Sequence, residues 1–166
     1  FTSGLFVFTV MNLKETLRKH GFACSKRYGQ NFISDPQLLR AIACDGAESG
    51  DTVLEVGAGA GTLTRALCDA GARVTAFEID ERLRPVLCET LAGTTAKVIF
   101  ADVMSYDLGA LQLGKYRLVA NLPYYITTPV IFAFLYDPDL LSLTVMVQKE
   151  VADRICAKAG TSAYGA

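Results

Sequence analysis

The stretch Asp51–Gly61, DTVLEVGAGAG, constrains this chain more than any other. Thr52, Val53, Leu54 and Val56 make a short apolar run that stops at Gly57, Gly59 and Gly61, and Thr62–Leu67 then reads as the first turns of a helix. A strand, a glycine turn and a helix N-terminus in that order open the nucleotide site of a doubly wound α/β sheet. Glycine suits such a turn because the backbone visits angles that a Cβ disfavours, and because a ligand can then lie against bare main chain.

The glycine spacing narrows the ligand. A dinucleotide fingerprint requires G-x-G-x-x-G, its third glycine letting the helix approach the strand. Here the pattern is G-x-G-x-G, and Thr62 stands where that third glycine would be. Glu55, just before the turn, would repel a pyrophosphate. A phosphate-free cofactor with a cationic end fits better, and S-adenosylmethionine carries a sulfonium, an ammonium and no phosphate. A second apolar run, Arg73–Asp80, ends in acids, and Glu78 lies 21 residues after Gly57. That is the usual distance for a carboxylate that accepts both hydroxyls of a ribose.

Downstream the pattern alternates. A helix is expected at 62–70, a strand at 73–80, a helix at 81–91, and strands at 97–102 and 116–120. Thr128–Pro129 reads as the cap of a helix at 129–136, before a strand at 143–147 and a helix from Lys149 to Lys158. Upstream, Asn12 and Glu15 have capping-box spacing with Gly21 as the stop, and residues 25–33 read as a basic loop. Asp35–Pro36 opens a helix whose apolar face is Leu38, Leu39 and Ile42. Strands alternating with helices mean a mostly parallel, Rossmann-like sheet with ligands beyond the strands' carboxyl ends. The glycine turn, Glu78, Asp102 and Asn121 all fall at such ends.

Composition excludes several classes. At 166 residues, 51% hydrophobic and 20% charged, the chain has enough apolar material for one core and is unlike a disordered segment. Five separated cysteines and a single histidine, His20, leave no metal-ligating cluster and suit a reducing compartment, so a cytoplasmic location is expected. No apolar run is long enough to span a membrane. The net charge of −1 hides a basic residues 1–31 (Lys14, Arg18, Lys19, Lys26 and Arg27 against Glu15) and an acidic remainder. Such a basic end is an ordinary solvated face or an electrostatic footprint for a polyanion. Residues 1–10 carry no charge and precede Met11, and read as a leader ahead of a catalytic domain over 11–166.

Asn121-Leu122-Pro123-Tyr124 carries the chemistry. Asparagine offers a carboxamide oxygen, proline leaves carbonyls exposed because it has no N–H, and tyrosine offers a ring for stacking. The set suits gripping a planar aromatic amine. Two acceptors on its hydrogens favour the tetrahedral, nucleophilic form of the nitrogen, and the remainder is positioning against a methyl donor.

With Gln30–Ile33, Glu55–Thr64 and Asn121–Pro129 in this order, the chain resembles the ribosomal RNA adenine dimethyltransferases, in particular the KsgA type, from Met11 to about Gly165. The resemblance implies an S-adenosylmethionine-dependent enzyme that methylates the N6 amine of two adjacent adenines near the 3′ end of small-subunit rRNA, with that rRNA as its partner. It implies Asn31 and Ile33 as cofactor contacts of the N-terminal loop, and Gly57 and Gly59 as main-chain contacts. It implies Glu78 on the ribose, Asp102 on the cofactor's adenine, and Asn121 shared between cofactor and target. Asn121, Pro123 and Tyr124 then form the catalytic loop, with Tyr124 stacking on the target base. The target adenine must leave its stack to be reached. The family continues through two more strands, an F-x-P-x-P-x-V segment and a small helical domain, so the chain reads as an N-terminal portion. Its last strand, 143–147, would then form an unpaired edge that Leu5–Val10 could join. The alternatives are the macrolide-resistance type that acts on large-subunit rRNA, a non-catalytic RNA-binding factor on the same fold, and a nicotinamide dehydrogenase, which Thr62 and Glu55 oppose.

Overall fold

Five parallel strands in the order β3-β2-β1-β4-β5 organise the molecule. They run β1 Thr52–Val56, β2 Arg73–Glu78, β3 Lys97–Phe100, β4 Tyr116–Asn121 and β5 Leu140–Met146. The structure is a computed structural model and describes residues 12–23, 32–122 and 124–162, with the backbone alone at Tyr124. The helices are α1 Leu13–Lys19, α2 Pro36–Gly46, α3 Thr62–Asp69, α4 Arg84–Thr90, α5 Tyr124–Leu135 and α6 Lys149–Ile155. Order and direction are those expected of a doubly wound sheet.

The central strand has neighbours on both sides, Val56 standing opposite Phe77 of β2 and Ala120 of β4. With both faces covered, β1 is mostly apolar, and Val53 and Leu54 are completely buried. On one face Leu39 and Ile42 of α2, Leu63 and Leu67 of α3, and Val86 and Leu87 of α4 pack against Val53, Val74, Ala76 and Val119. On the other, Val130 and Phe134 of α5 join Val103 over Leu54, Val56, Phe77, Leu118 and Ala120. Each such aliphatic side chain contributes about 1.5–3 kcal/mol on leaving water.

Local signals set most boundaries. Asn12 Oδ1 accepts from the Glu15 N–H at 3.3 Å, and Gly21 follows α1 with a φ of +62°. Asp35 Oδ1 accepts from the N–H groups of Gln37 (2.8 Å) and Leu38 (3.4 Å), with Pro36 first in the helix. Lys19 and His20 both meet Glu89 Oε2, at 2.7 and 2.8 Å, so part of the basic end ties α1 to α4.

Four expectations need correction. Leu38 is 42% exposed, so the buried stripe of α2 is Leu39 and Ile42. The segment at 81–91 is a 3₁₀ turn, Glu81–Leu83, followed by α4, because Pro85 stands at the start of the α-helix, where its missing N–H costs nothing. Helix α5 begins at Tyr124 and runs through Pro129 instead of starting there. Proline as the sixth helical residue forfeits one bond to the carbonyl four residues back, and burial of Thr127, Val130 and Phe134 outweighs that loss. Finally β5 starts at Leu140, three residues earlier than expected. It forms a sheet edge among the described strands, while the suggested partner Leu5–Val10 lies outside the described residues.

Candidate functional site

A cavity of about 650 Å³ opens at the carboxyl ends of the strands. Gly57 and Gly59 after β1, Glu78 at the end of β2, Asp102 after β3 and Asn121 at the end of β4 all line it. Parallel register brings them together, since residues far apart in sequence finish at one level of one sheet.

The glycine turn is built by main-chain bonds. The N–H groups of Gly57 and Ala58 both donate to the Phe77 carbonyl at 2.9 Å. Gly57 has a φ of +81°, and a Cβ there would meet nothing nearer than the Asn121 carbonyl oxygen at 3.9 Å, so bare backbone faces open space. Gly61 also has a φ of +81°, but a Cβ there would lie 2.9 Å from Leu87 Cδ2. The first glycine borders open space, and the second makes room for helix packing.

Glu78 is 6% exposed and fully engaged with backbone. Its Oε2 accepts from the Gly59 N–H at 2.6 Å, and its Oε1 from Ile79 (2.9 Å) and Asp80 (2.8 Å). Burial pushes its carboxyl above the ordinary range, while the three N–H donors pull the other way. Asp102 is exposed and caps the turn Val103–Ser105 through the Met104 N–H at 3.0 Å, so its cap role and its place in the cavity coincide.

Ile33 lines the cavity, and its carbonyl accepts from Thr62 Oγ1 at 2.9 Å. The Phe32 ring covers Gly59, 3.1 Å from where a Cβ would sit. Asn31 and Pro123 lie outside the described residues, as does the Tyr124 side chain. Several lining residues escaped the sequence reading: Phe32, Thr62 as a clamp, the half-exposed apolar Ile79 and Met104, and Tyr125, the neighbour of the tyrosine expected there. Its place directly after the strand-end acid Glu78 was the available signal for Ile79.

Glu55 differs most from expectation. It points into the core beneath the cavity, 1% exposed, and neither oxygen has a hydrogen-bond partner among the described residues. Desolvation pushes its carboxyl up to about 8, against a weaker opposing influence of Thr64, whose own hydroxyl is likewise unpartnered. Burial therefore favours its neutral form, which weakens the charge repulsion invoked against a pyrophosphate.

Among the described residues, no lysine or arginine lines the cavity, while three carboxyl groups do. Its donor and acceptor set suits a phosphate-free ligand with a cationic end, and apolar Phe32, Ile79 and Met104 suit a flat ring. No group of three or more potential metal ligands occurs among the described residues, and no helix there is long and apolar enough to cross a membrane.

A family model described as ribosomal RNA adenine dimethylase matches residues 21–166. The chain belongs to that family. Among its relatives, "Ribosomal RNA small subunit methyltransferase A" of Deinococcus radiodurans is 49% identical over 96% of this chain and 54% of its own length. The protein so named from Enterococcus faecalis is 48% identical, over 95% of this chain and 56% of its own. The chain thus spans about half the length of the curated relatives it matches. Among solved structures, the 23S rRNA methyltransferase ErmE aligns with a TM-score of 0.67 and 34% identity, covering 75% of this chain and 50% of that one. A dimethyladenosine transferase from Plasmodium falciparum gives a TM-score of 0.67 at 29% identity, covering 81% and 49%.

Proposed function

We propose that the cavity binds S-adenosylmethionine and that the chain is the methyl-transferring part of an enzyme acting on adenine N6 in small-subunit rRNA. The observation that carries this is the lining: carboxyl groups and apolar walls around exposed glycine backbone, with no cation among the described residues. Glu78 would hold the ribose, Asp102 the adenine amine, Ile79 and Met104 the ring faces, and the turn at Gly57, with Ile33 and Asn31, the amino-acid end. When bound, the cofactor supplies a methyl group on positively charged sulfur.

The chain's own contribution is to prepare the target nitrogen. The Asn121 carboxamide oxygen and a main-chain carbonyl of the following loop accept the two amine hydrogens, drawing the lone pair out of conjugation with the purine. Tyr124, at the head of α5, is the ring assigned to the target base by the family resemblance. No strong base is needed, because the nitrogen loses its proton to water once alkylated. Positioning supplies most of the barrier reduction.

The macrolide-resistance reading keeps one specific support, the 34% identity to ErmE. The small-subunit reading is favoured by relatives at 42–49% identity that bear the small-subunit name. Transfer of tritiated methyl groups to undermodified small ribosomal subunits, with large subunits alongside, separates them. Incorporation into adenines of the small-subunit rRNA is expected; labelling confined to the large subunit would move the assignment to the second type.

A further inference from the structure

Glu55 is the one fully buried carboxyl in the central strand, and the hydrogen-bonding scheme of the fold makes no use of it. Among the described residues both its oxygens lack partners, and its side chain forms part of the cavity lining. An unpaired buried carboxyl costs stability, so by packing alone this position would favour an apolar residue. The groups around it offer little compensation, Thr64 alone opposing the desolvation. Ala76 of β2 and Val119 of β4 flank it in register, and Glu78 of β2 adds negative charge. From α3 it faces uncharged Thr64 and feels Cys68, whose thiol Glu55 helps push up. Arg65 of α3 is bound to Asp69, Arg40, Cys44 and Asp45 of α2 are exposed, and Arg117 of β4 pairs with Asp51 at the other end of the sheet.

We propose that Glu55 is a charge-selecting group of the cofactor site: its carboxyl releases its proton to solvent when the sulfonium-bearing donor occupies the cavity, and so favours that donor over the neutral thioether product. The inference rests on the cofactor assignment made above. S-adenosylmethionine and S-adenosylhomocysteine share the adenine, the ribose and the amino acid, and differ by one methyl group and one positive charge on sulfur. Contacts to the shared parts therefore cannot discriminate between them. A carboxylate enclosed in low dielectric can, because its attraction to the extra charge is weakly screened. In the step itself a carboxyl O–H bond breaks, the proton passes to a buffer base, and no electron changes hands. The consequence is preferential exchange of spent product for fresh donor, which a site that methylates one nitrogen twice requires between transfers.

Isothermal titration of this chain with each ligand, in two buffers of different ionisation heat, counts the protons released. Near pH 7 the donor should release several tenths of a proton more than the product. The ratio of donor to product affinity should rise on the order of tenfold between pH 6.5 and 8.5, the factor given by one pKa unit of coupling, and then level off. The α-amino group common to both ligands cancels from the ratio to first order. Glu55→Gln should flatten the ratio and abolish the proton difference. Equal proton counts for the two ligands in the unaltered chain would overturn the proposal, and that measurement stands even where the variant fails to fold. A proton difference that survives in Glu55→Gln would also overturn it, transferring the role to Glu78. Binding of neither ligand would overturn the cofactor assignment itself, and this inference with it.

Discussion

Replacing Glu78 by glutamine tests the site most directly, because the carboxylate accepts three backbone hydrogen bonds at known distances. A carboxamide has one oxygen where the carboxylate has two. It can keep the Ile79 and Asp80 donors on that oxygen, but its NH₂ then faces the Gly59 N–H across the 2.6 Å now spanned by a hydrogen bond. The link from β2 to the glycine turn is lost. Hydrogen bonds to charged groups are worth about 1.5–3 kcal/mol, and removing the cost of burying a charge offsets part of this. Stability should therefore fall by only about 1–2 kcal/mol, lowering Tm by roughly 2–8 °C. Cofactor affinity should fall more, since ribose hydroxyls lose a charged acceptor: about 1.5–3 kcal/mol, or roughly 10- to 150-fold in Kd. Calorimetric titration with S-adenosylmethionine, beside thermal melts of the same preparation, measures both. An affinity within twofold of the unaltered chain, with the fold intact, would refute the placement of Glu78 on the ribose.

The two glycines of the turn should separate by phenotype. Both alanines incur the strain of a φ of +81°, roughly 1–3 kcal/mol; Gly57→Ala should in addition weaken cofactor binding, and Gly61→Ala should lower Tm further through the 2.9 Å approach to Leu87. Stability should also depend on pH through Glu55. Its folded-state pKa is raised from 4.5 to about 8, so the fold favours the protonated form. The benefit is complete below about pH 4.5 and is lost as pH rises through 8, by at most about 5 kcal/mol. Urea melts from pH 5 to 9 should show that slope, and Glu55→Gln should remove it. Thr62→Val should cost about 1 kcal/mol and loosen residues 32–35 in hydrogen exchange, because the bond to the Ile33 carbonyl disappears. Asn121→Ala should reduce methyl transfer far more than Tm, checked by tritium incorporation against thermal melts.

Much of this architecture was legible in the residues because its signals are local. The glycine turn, the Asp35–Pro36 cap and the stop at Gly21 depend on backbone angles and side-chain reach within a few residues. Helix α5 was misread for the same reason. Thr128–Pro129 resembles a cap, yet the helix runs from Tyr124 through Pro129, with Thr127 buried before the proline and Val130 and Phe134 after it. Tyr125, half exposed and lining the cavity, was missed because the earlier start changes which side chains face the site.

The sequence by itself determined the order of strands and helices, the bare-backbone turn after β1 and the acids that close β2 and β3. Each follows from steric and capping preferences of neighbouring residues. Only the tertiary structure decided that Glu78 binds the glycine turn, that Thr62 holds the Ile33 carbonyl, and that Glu55 lies buried beneath the cavity where its neutral form is favoured. Those outcomes depend on side chains meeting across the sheet and on water being excluded between them, and a linear chain carries neither distance nor dielectric.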